Sequence, residues 1–257
     1  MVSVERPDLL PDPALSREEM ESLQHDIAAE AVFENDLSFD PATVTEGPLS
    51  TPGEEPPLVA GVDQSFLDDR AISAVVVSRG GEVVERVYAV TDLSIPYIPG
   101  LLSFREGGPI VDAFEELTVE PDLVLFDGSG RIHFREAGIA THMGVVFDVP
   151  SVGVAKSLLC GTPVDATDDL PEGVRVPIEA DADVTAAEGT VIGHAVQTRQ
   201  YESSSQSINP LIVSPGHRVD ADTAADLVAA LTDGYKLPEP TRRADAYAEE
   251  AKSLLDA

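Results

Sequence analysis

Short apolar runs of strand length, separated by turn residues, constrain the fold of this chain more than any other feature. The run at 58–63 precedes two β-branched runs, 71–78 and 83–90, which Arg79-Gly-Gly-Glu separates in the manner of a hairpin. Later runs also have the length of strands: 123–126, 151–155, 191–196 and 211–213. Helices are predicted over 109–117, 136–146, 221–231 and 241–255. A hairpin followed by strands that alternate with helices indicates a mixed α/β fold.

The amino-terminal part differs in composition from the rest, because residues 1–57 are rich in proline and acid. Ser16, followed three residues later by Glu19, has the pattern of a capping box and predicts a helix over 16–33. We therefore divide the chain into residues 1–57, an N-terminal helix with an acidic linker, and residues 58–257, the main domain. Residues 162–190 form an acidic excursion without clear periodicity.

Composition narrows the class of protein. Hydrophobic residues make up 43% of the chain, an ordinary value for a globular protein. The single Cys160 excludes an internal disulfide framework and a zinc site built from several cysteines. No apolar run reaches the length of a transmembrane helix, and the amino-terminal stretch lacks the pattern of a secretory signal. We therefore expect a cytoplasmic protein without membrane attachment.

The charge is unusual, since 47 acidic residues face 16 basic ones and the net charge is −31 at pH 7. Such a surface repels nucleic acid, whose binding normally depends on Lys and Arg. A second interpretation is an acidic surface shared by all proteins of an organism that keeps molar salt in its cytoplasm. There the Debye length falls to about 3 Å and long-range repulsion is screened. The scarcity of lysine favours this halophilic interpretation, because only Lys156, Lys236 and Lys252 occur.

Two of the predicted strands end in an aspartate, Asp63 and Asp127. Strand ends are where open α/β sheets build their sites. Two carboxylates on neighbouring strands repel unless a cation lies between them, and Mg²⁺ prefers oxygen ligands of this kind. The alternative is that each aspartate caps a turn, which the Gly-Ser-Gly after Asp127 also fits.

The segment 96–106, Pro-Tyr-Ile-Pro-Gly-Leu-Leu-Ser-Phe-Arg-Glu, supplies a third carboxylate. Its prolines stiffen the loop, which we expect to display Tyr97 and Ile98 as an apolar wedge of the kind that unstacks bases. The alternative is a hydrophobic loop packed on the core. Glu106 ends the segment, and Arg105 beside it is a potential phosphate contact.

Five collinear stretches resemble the endonuclease V family, the deoxyinosine 3′ endonucleases. They are AGVDQSF (60–66), PYIPGLLSFRE (96–106), PDLVLFDGSGRIHFREAGIATHMGV (121–145), PSVGVAKSLLCG (150–161) and INPLIVSPGHRVD (208–220). The resemblance implies an RNase H-like fold, with a mixed central sheet flanked by helices. It also implies hydrolysis of the second phosphodiester bond 3′ to a hypoxanthine base, which leaves 3′-hydroxyl and 5′-phosphate ends.

The resemblance assigns the catalytic residues one by one. Asp63, Glu106 and Asp127 become the ligands of Mg²⁺, for which Mn²⁺ can substitute. Lys156 faces the scissile phosphate. Two histidines join these residues: His217, on a Pro-Gly turn near the metal and the attacking water, and His133. Around the residue that corresponds to His133 the family usually has the sequence His-Pro-Arg. This chain has Phe134 in place of the proline, which puts the local loop geometry in question.

Recognition of the base is implied by the same stretches. Main-chain groups of glycine- and leucine-bearing loops hold the flipped base, and here they correspond to Gly100, Leu102, Gly128, Ile139, Gly153 and Leu159. The residues that hold the strands apart are Pro96, Tyr97, Ile98 and Pro99. The expected partner is DNA containing deoxyinosine, or RNA containing inosine, and we expect the protein to act as a monomer.

Two other functions remain open at this stage. One is an RNase H-like nuclease that acts mainly on inosine-containing RNA or on branched nucleic acid. The other is a non-catalytic protein that binds damaged DNA, against which the clustered carboxylates argue, since a pure binder has no use for negative charge beside a phosphate.

Overall fold

A mixed β-sheet forms the centre of the molecule in the computed structural model, which describes residues 2–45, 55–201 and 207–255. Within these ranges the sheet has nine strands in the order β3-β2-β1-β4-β5-β9-β8-β7-β6. The strands are β1 (Leu58–Leu67), β2 (Arg70–Arg79), β3 (Glu82–Asp92), β4 (Leu123–Asp127), β5 (Ser151–Ala155), β6 (Thr162–Pro163), β7 (Arg175–Glu179), β8 (Val191–Val196) and β9 (Leu211–His217). The α-helices are α1 (Arg17–Glu30), α2 (Leu102–Glu115), α3 (Ile139–Phe147), α4 (Ala221–Ala230) and α5 (Glu239–Leu255).

The direction of the strands fixes where the strand ends meet. β1, β2 and β3 form an antiparallel meander, and β4 and β5 are parallel to β1. In this parallel register Val62 pairs with Phe126 and Asp127 with Val154. The carboxyl ends of β1, β4 and β5 therefore lie at one edge of the sheet, which we call the carboxyl edge.

Helices cover both faces of the sheet and bury its apolar side chains. On one face α2 and α3 pack against Val62, Val124 and Phe126 in the largest buried cluster. On the other face α4 packs against a second cluster, which includes Leu125 and Val154. α5 also packs on β1 and β2. Together with the sheet, this arrangement confirms the predicted α/β fold of RNase H-like type.

The amino-terminal segment packs against the rest of the chain. α1 begins with the predicted capping box, in which Ser16 Oγ accepts from the Glu19 N–H and the Glu19 side chain accepts from the Ser16 N–H. Ile27 is fully buried, and Gln24 Nε2 donates to Gly100 O at 2.8 Å. The helix therefore contacts the loop that precedes α2. The domain boundary at residue 57 stays a prediction, and the linker over 40–57 lies partly outside the described residues.

Three segments differ from the sequence analysis. The strand predicted to end at Asp63 continues to Leu67. Residues 162–190, which show no clear periodicity in the sequence, contain β6 and β7, which extend the sheet beyond β8. α2 begins at Leu102 and not at Pro109, so Glu106 lies on a helix. Proline is favoured in the first turn of a helix, but here Pro109 lies in the interior of α2.

Candidate active site at the carboxyl edge

Asp63 and Asp127 are neighbours at the carboxyl edge. Each follows a residue of the paired row Val62–Phe126, so their backbones occupy equivalent positions on adjacent strands. Asp63 is only 8% exposed, and its Oδ1 accepts from the Gln64 N–H at 2.8 Å. Burial, followed by the charge of Asp127, raises the pKa of Asp63 well above its ordinary value. The fold thus holds Asp63 and Asp127 close enough for their negative charges to repel each other.

Glu106 projects from the second turn of α2 into the same region. It is 7% exposed, and burial together with the charge of Asp127 raises its pKa to about 7, although Arg105 acts in the opposite direction. Arg105 Nη1 donates to Glu106 Oε1 at 3.0 Å, and its guanidinium lies over the ring of Phe66, 4.6 Å from the centroid. Arg105 therefore forms an ion pair with Glu106 in this structure, whereas the sequence predicted that it contacts a phosphate.

Lys156 directly follows β5 and reaches Asp127. Its Nζ donates to Asp127 Oδ2 at 2.7 Å. Burial alone lowers the pKa of Lys156, but the hydrogen bond with Asp127 and the charges of Asp127, Asp63 and Asp245 raise it above its ordinary value. The ammonium group therefore stays charged at the carboxyl edge, as the expected role beside a phosphate requires.

Asp245 is an acid of this site that the sequence did not reveal. It lies on α5, and its charge raises the pKa of both Asp63 and Lys156. α5 reaches β1 because Gly61 has no side chain, and a Cβ there would lie 2.0 Å from Pro240 O. The Pro-Glu-Pro start of α5 and Gly61 are the sequence signals of this contact, but neither points to Asp245 by itself.

His217 lies away from the carboxylates, so its expected place beside the metal is wrong. The segment read as a Pro-Gly turn continues β9, which is antiparallel to β5 and pairs His217 with Ser151. Ser151 begins β5, whereas Asp127 pairs with Val154 near its end, about 10 Å along the strand. His217 Nδ1 accepts from the Val32 N–H at 3.2 Å, and Nε2 contacts Asp148 Oδ1 at 3.1 Å. Its partners are structural.

A cavity of about 210 Å³ opens beside the acidic cluster. Residues from the loop before α2, the loop after β4, the start of α3 and the loop after β5 line it. Five of the six positions expected to hold the base are among them: Gly100, Leu102, Gly128, Ile139 and Leu159. Gly128 has φ +151°, and a Cβ there would lie 2.6 Å from Ile139 Cγ2. A side chain at this position would therefore disturb the wall of the cavity.

Gly153, the sixth expected position, lies beneath the cavity wall. A Cβ at Gly153 would lie 2.4 Å from Gly130 N and 2.6 Å from Gly128 O. Its glycine lets the loop after β4 approach β5, so it shapes the cavity and is not part of the lining.

His133 lines the cavity and is 4% exposed. Burial lowers its pKa to about 4, so the imidazole is neutral near pH 7. Nδ1 accepts from the Arg135 N–H at 3.2 Å, which leaves Nε2 to donate to Gly100 O at 3.0 Å. The ring thus braces the Gly100 loop. Phe134, which stands where the family usually has proline, packs beside the same loop, 3.2 Å from where a Cβ of Gly100 would be.

The loop at residues 96–99, which we call the wedge loop, displays one large side chain and not two. Tyr97 is 61% exposed and borders the cavity. Ile98 packs against the small buried cluster of Met20, Leu101 and Phe104. Pro96 and Pro99 are exposed on either side. Tyr97 is therefore the side chain available to a bound nucleic acid.

The donor set at the carboxyl edge fits a hard divalent cation. Asp63, Glu106 and Asp127 offer oxygen ligands, which Mg²⁺ and Mn²⁺ prefer. In the described ranges no three acidic, imidazole or thiol groups already stand close enough together to ligate one ion. Two of the acids are engaged by Lys156 and Arg105. Burial, and to a smaller extent the charge of Asp127, raises the pKa of both Asp63 and Glu106.

Fold and site together define a class of protein: a nuclease of the RNase H-like type, with an acidic site at the carboxyl edge of its sheet. The chain belongs to the Endonuclease V family, whose sequence model matches residues 45–246. Proteins of this family are metal-dependent nucleases. The enzyme class and the family predicted from the sequence are thereby confirmed.

Relatives and solved structures extend this match over nearly the whole chain. Endonuclease V of Haloarcula marismortui is 61% identical over 98% of each chain, and that of Natronomonas pharaonis is 64% identical over 96% of each. Both organisms are halophilic archaea, which confirms the predicted origin of the acidic surface. Endonuclease V of Streptomyces avermitilis has a TM-score of 0.75 at 32% identity, covering 94% of this chain and 95% of that one.

Some of the matched solved structures include nucleic acid. Endonuclease V of Ciona intestinalis, in complex with a 24mer DNA containing an inosine followed by a ribo-adenosine, has a TM-score of 0.71 at 25% identity. The match covers 93% of this chain and 98% of that one.

No helix among residues 2–45, 55–201 and 207–255 is both long and apolar enough to cross a lipid bilayer.

Proposed function

We propose that this chain is a repair endonuclease that recognises deoxyinosine in DNA and hydrolyses the second phosphodiester bond 3′ to it. The observation that carries the proposal is the cavity of about 210 Å³ beside Asp63, Asp127 and Lys156. It offers a place for one extruded base next to groups that can act on the backbone. A relative of the same family binds inosine-containing DNA.

Hypoxanthine differs from adenine at the edge that such a cavity reads. It presents O6 as an acceptor and N1–H as a donor, whereas adenine presents the opposite pattern. Main-chain groups of the Gly100 and Gly128 loops line the cavity and can supply a donor and an acceptor. A base that is already mispaired costs less to extrude, which adds to selectivity.

Asp63, Glu106 and Asp127 would hold the metal ion, for which we propose Mg²⁺, with Mn²⁺ able to substitute. When bound, the ion lowers the pKa of a water ligand and offsets charge on phosphate oxygens. Lys156 would then turn from Asp127 toward the scissile phosphate and stabilise the negative charge that grows there. Asp245, which lies near Asp63 and Lys156, would take the role predicted for His217 and orient the attacking water.

Inosine-containing RNA is a second candidate substrate, favoured by one observation. The Ciona intestinalis complex contains a ribo-adenosine directly after the inosine, so that relative accommodates a ribose at this position. The proposed site reads the base edge and the phosphates, and these are shared by DNA and RNA.

A cleavage assay in molar KCl tests the proposal. Matched duplexes with and without one deoxyinosine, and the same sequence with inosine in RNA, are incubated with Mg²⁺, and the product ends are mapped. We expect cleavage only of the inosine strand, one nucleotide beyond the lesion, with 3′-hydroxyl and 5′-phosphate ends. Asp127→Asn should abolish it. Binding of inosine DNA without any cleavage would instead identify a damage-binding protein.

A further inference from the structure

Nearly every basic side chain of this acidic protein pairs with a carboxylate. Of the 16 Lys and Arg residues, those without a carboxylate partner in the described parts of the chain are Arg70, Arg199 and Lys236. Arg6 is typical of the rest, since it pairs with both Asp8 and Glu30. With 47 acids available, a base without a partner is the exception. Such a group has no internal carboxylate among the described residues to compete with an external anion.

Arg199 lies on the same side of the molecule as the acidic cluster. β8 is antiparallel to β9, which is antiparallel to β5, so β8 and β5 run in the same direction. Ala155 of β5 and Ala195 of β8 both pair with Ile212. The residues after them, at the carboxyl edge, are therefore about two strand spacings, ~10 Å, apart. Arg199 follows β8 at this edge and is exposed.

Lys236 lies beside the same exit from β8. Thr198 Oγ1 donates to Lys236 O at 2.6 Å, which fixes the segment before α5 next to the chain that leaves β8. Burial lowers the pKa of Lys236, and the ammonium group of Lys156 lowers it further, which agrees with the proximity of the two lysines. Two of the three lysines of the chain thus lie near the end of β5 and the start of β9.

A groove of about 460 Å³ continues from this point between β7, β8 and α4, and Arg199 lines it. Two acids also line the groove, but both are engaged. Glu172 accepts from the Gln200 N–H at 3.1 Å, and Asp226 pairs with Arg175 at 2.6 Å. Of the two arginines that line the groove, Arg175 is paired with Asp226, whereas Arg199 has no carboxylate partner among the described residues.

We propose that Lys236 and Arg199 bind the phosphates of the nucleic-acid strand as it leaves the active site, and so extend the binding surface from Lys156 along the carboxyl edge to β8. This inference rests on the proposed function, because it takes the ligand of the surface to be a nucleic acid. In a protein of net charge −31, two cations without a carboxylate partner among the described residues attract a phosphate strand where the surrounding surface repels it. Phosphate contacts of this kind hold the strand in register without reading its sequence.

The test is the salt dependence of binding, measured with the full chain in EDTA so that no cleavage occurs. Fluorescent duplexes with and without deoxyinosine are titrated across a KCl series in which circular dichroism shows the protein folded. The double variant Arg199→Gln/Lys236→Gln is compared with the parent. The charge-preserving pair Arg199→Lys/Lys236→Arg and Arg6→Gln serve as controls. Arg6 donates its N–H to Val146 O, near the start of β5 and thus at the opposite edge.

Each lost phosphate contact lowers the slope of log K against log salt by about 0.9. We expect the double Gln variant to lose about 1.8 in slope on both duplexes, and both controls to keep the slope of the parent. An unchanged slope, no binding by the parent, or an equal loss in the charge-preserving pair overturns the inference. The two proposals fail separately. A slope loss with no inosine cleavage by the parent refutes only the deoxyinosine function, and cleavage with an unchanged slope refutes only the phosphate contacts.

Discussion

Asp63 of β1 and Asp127, the last residue of β4, occupy equivalent positions on adjacent parallel strands, because Val62 and Phe126 pair in the sheet immediately before them. The backbone thus imposes the proximity of two acids, one of which is 8% exposed. Such an arrangement costs stability unless a cation is bound, and this cost is the physical mark of a site kept for function.

We expect Asp63→Asn to raise the melting temperature in EDTA, because it replaces a buried acid whose ionised form burial and the charge of Asp127 disfavour. Mg²⁺ should raise the melting temperature of the parent but not that of the variant, since binding to the folded state alone stabilises it. Cleavage should fall by about 100-fold or more. Thermal melts in molar KCl measure the first effect. The exposed Asp168→Asn is the control and should behave as the parent. Equal shifts by Mg²⁺ in parent and Asp63→Asn would show that Asp63 is no ligand.

Asp245→Ala should lower kcat by about 100-fold and leave KM for the inosine duplex nearly unchanged. The reason is that Asp245 lies near Asp63 and Lys156, where it can act on the reacting water but not on the base. Steady-state kinetics check this, with Glu250→Gln on the same helix as control, because Glu250 pairs with Arg86 on the surface. A kcat equal to that of the parent would remove Asp245 from the mechanism.

The closeness of the two aspartates was predictable because each follows an apolar run of strand length, although β1 continues past Asp63 to Leu67. Asp245 was not, since its place depends on how α5 docks on β1 through the close approach of Gly61 and Pro240. His217 was misplaced for a related reason. Apolar runs show that β9 is a strand, but they do not show that it is antiparallel to β5, and this direction decides at which edge His217 lies.

The same distinction applies to the cavity. Its glycines could be assigned through motifs, and five of the six expected positions line it. The motif also includes Gly153, which does not line the cavity. The sequence cannot distinguish a glycine required for close packing under a loop from one that faces a ligand.

We expect His217→Gln to destabilise the fold by about 1–3 kcal/mol without lowering kcat per folded molecule. His217 accepts from the Val32 N–H and contacts Asp148, so it ties the segment after α1 to the end of β9. Urea unfolding and cleavage assays on one preparation separate the two effects. A loss of kcat at unchanged stability would restore the catalytic role expected from the sequence.

Acid should destabilise the protein partly through His142. This residue is fully buried, and burial lowers its pKa from 6.5 to about 4. Between these values the unfolded chain binds a proton that the folded chain does not, so the contribution is complete above about pH 6.5 and is lost as the pH falls toward 4. The difference corresponds to about 3 kcal/mol.

His142→Gln should flatten the stability profile over this interval, because Gln can still donate to Leu9 O as His142 Nε2 does at 2.8 Å. Urea unfolding at a series of pH values gives the slope. The exposed His25→Gln controls for the loss of a histidine and should follow the parent. If His142→Gln keeps the slope of the parent, His142 is not the group that titrates.

Tyr97→Ala should lower kcat/KM for duplex DNA with one deoxyinosine by about 10-fold, since stacking on an aromatic ring contributes about 1–3 kcal/mol per base. Tyr97 is the large exposed side chain of the wedge loop, and it borders the cavity. On single-stranded DNA with the same lesion the loss should be small, because no partner strand has to be held apart. Tyr97→Phe keeps the ring and should act as the parent on both substrates. Equal losses on duplex and single strand would instead mean that Tyr97 contacts the extruded base itself.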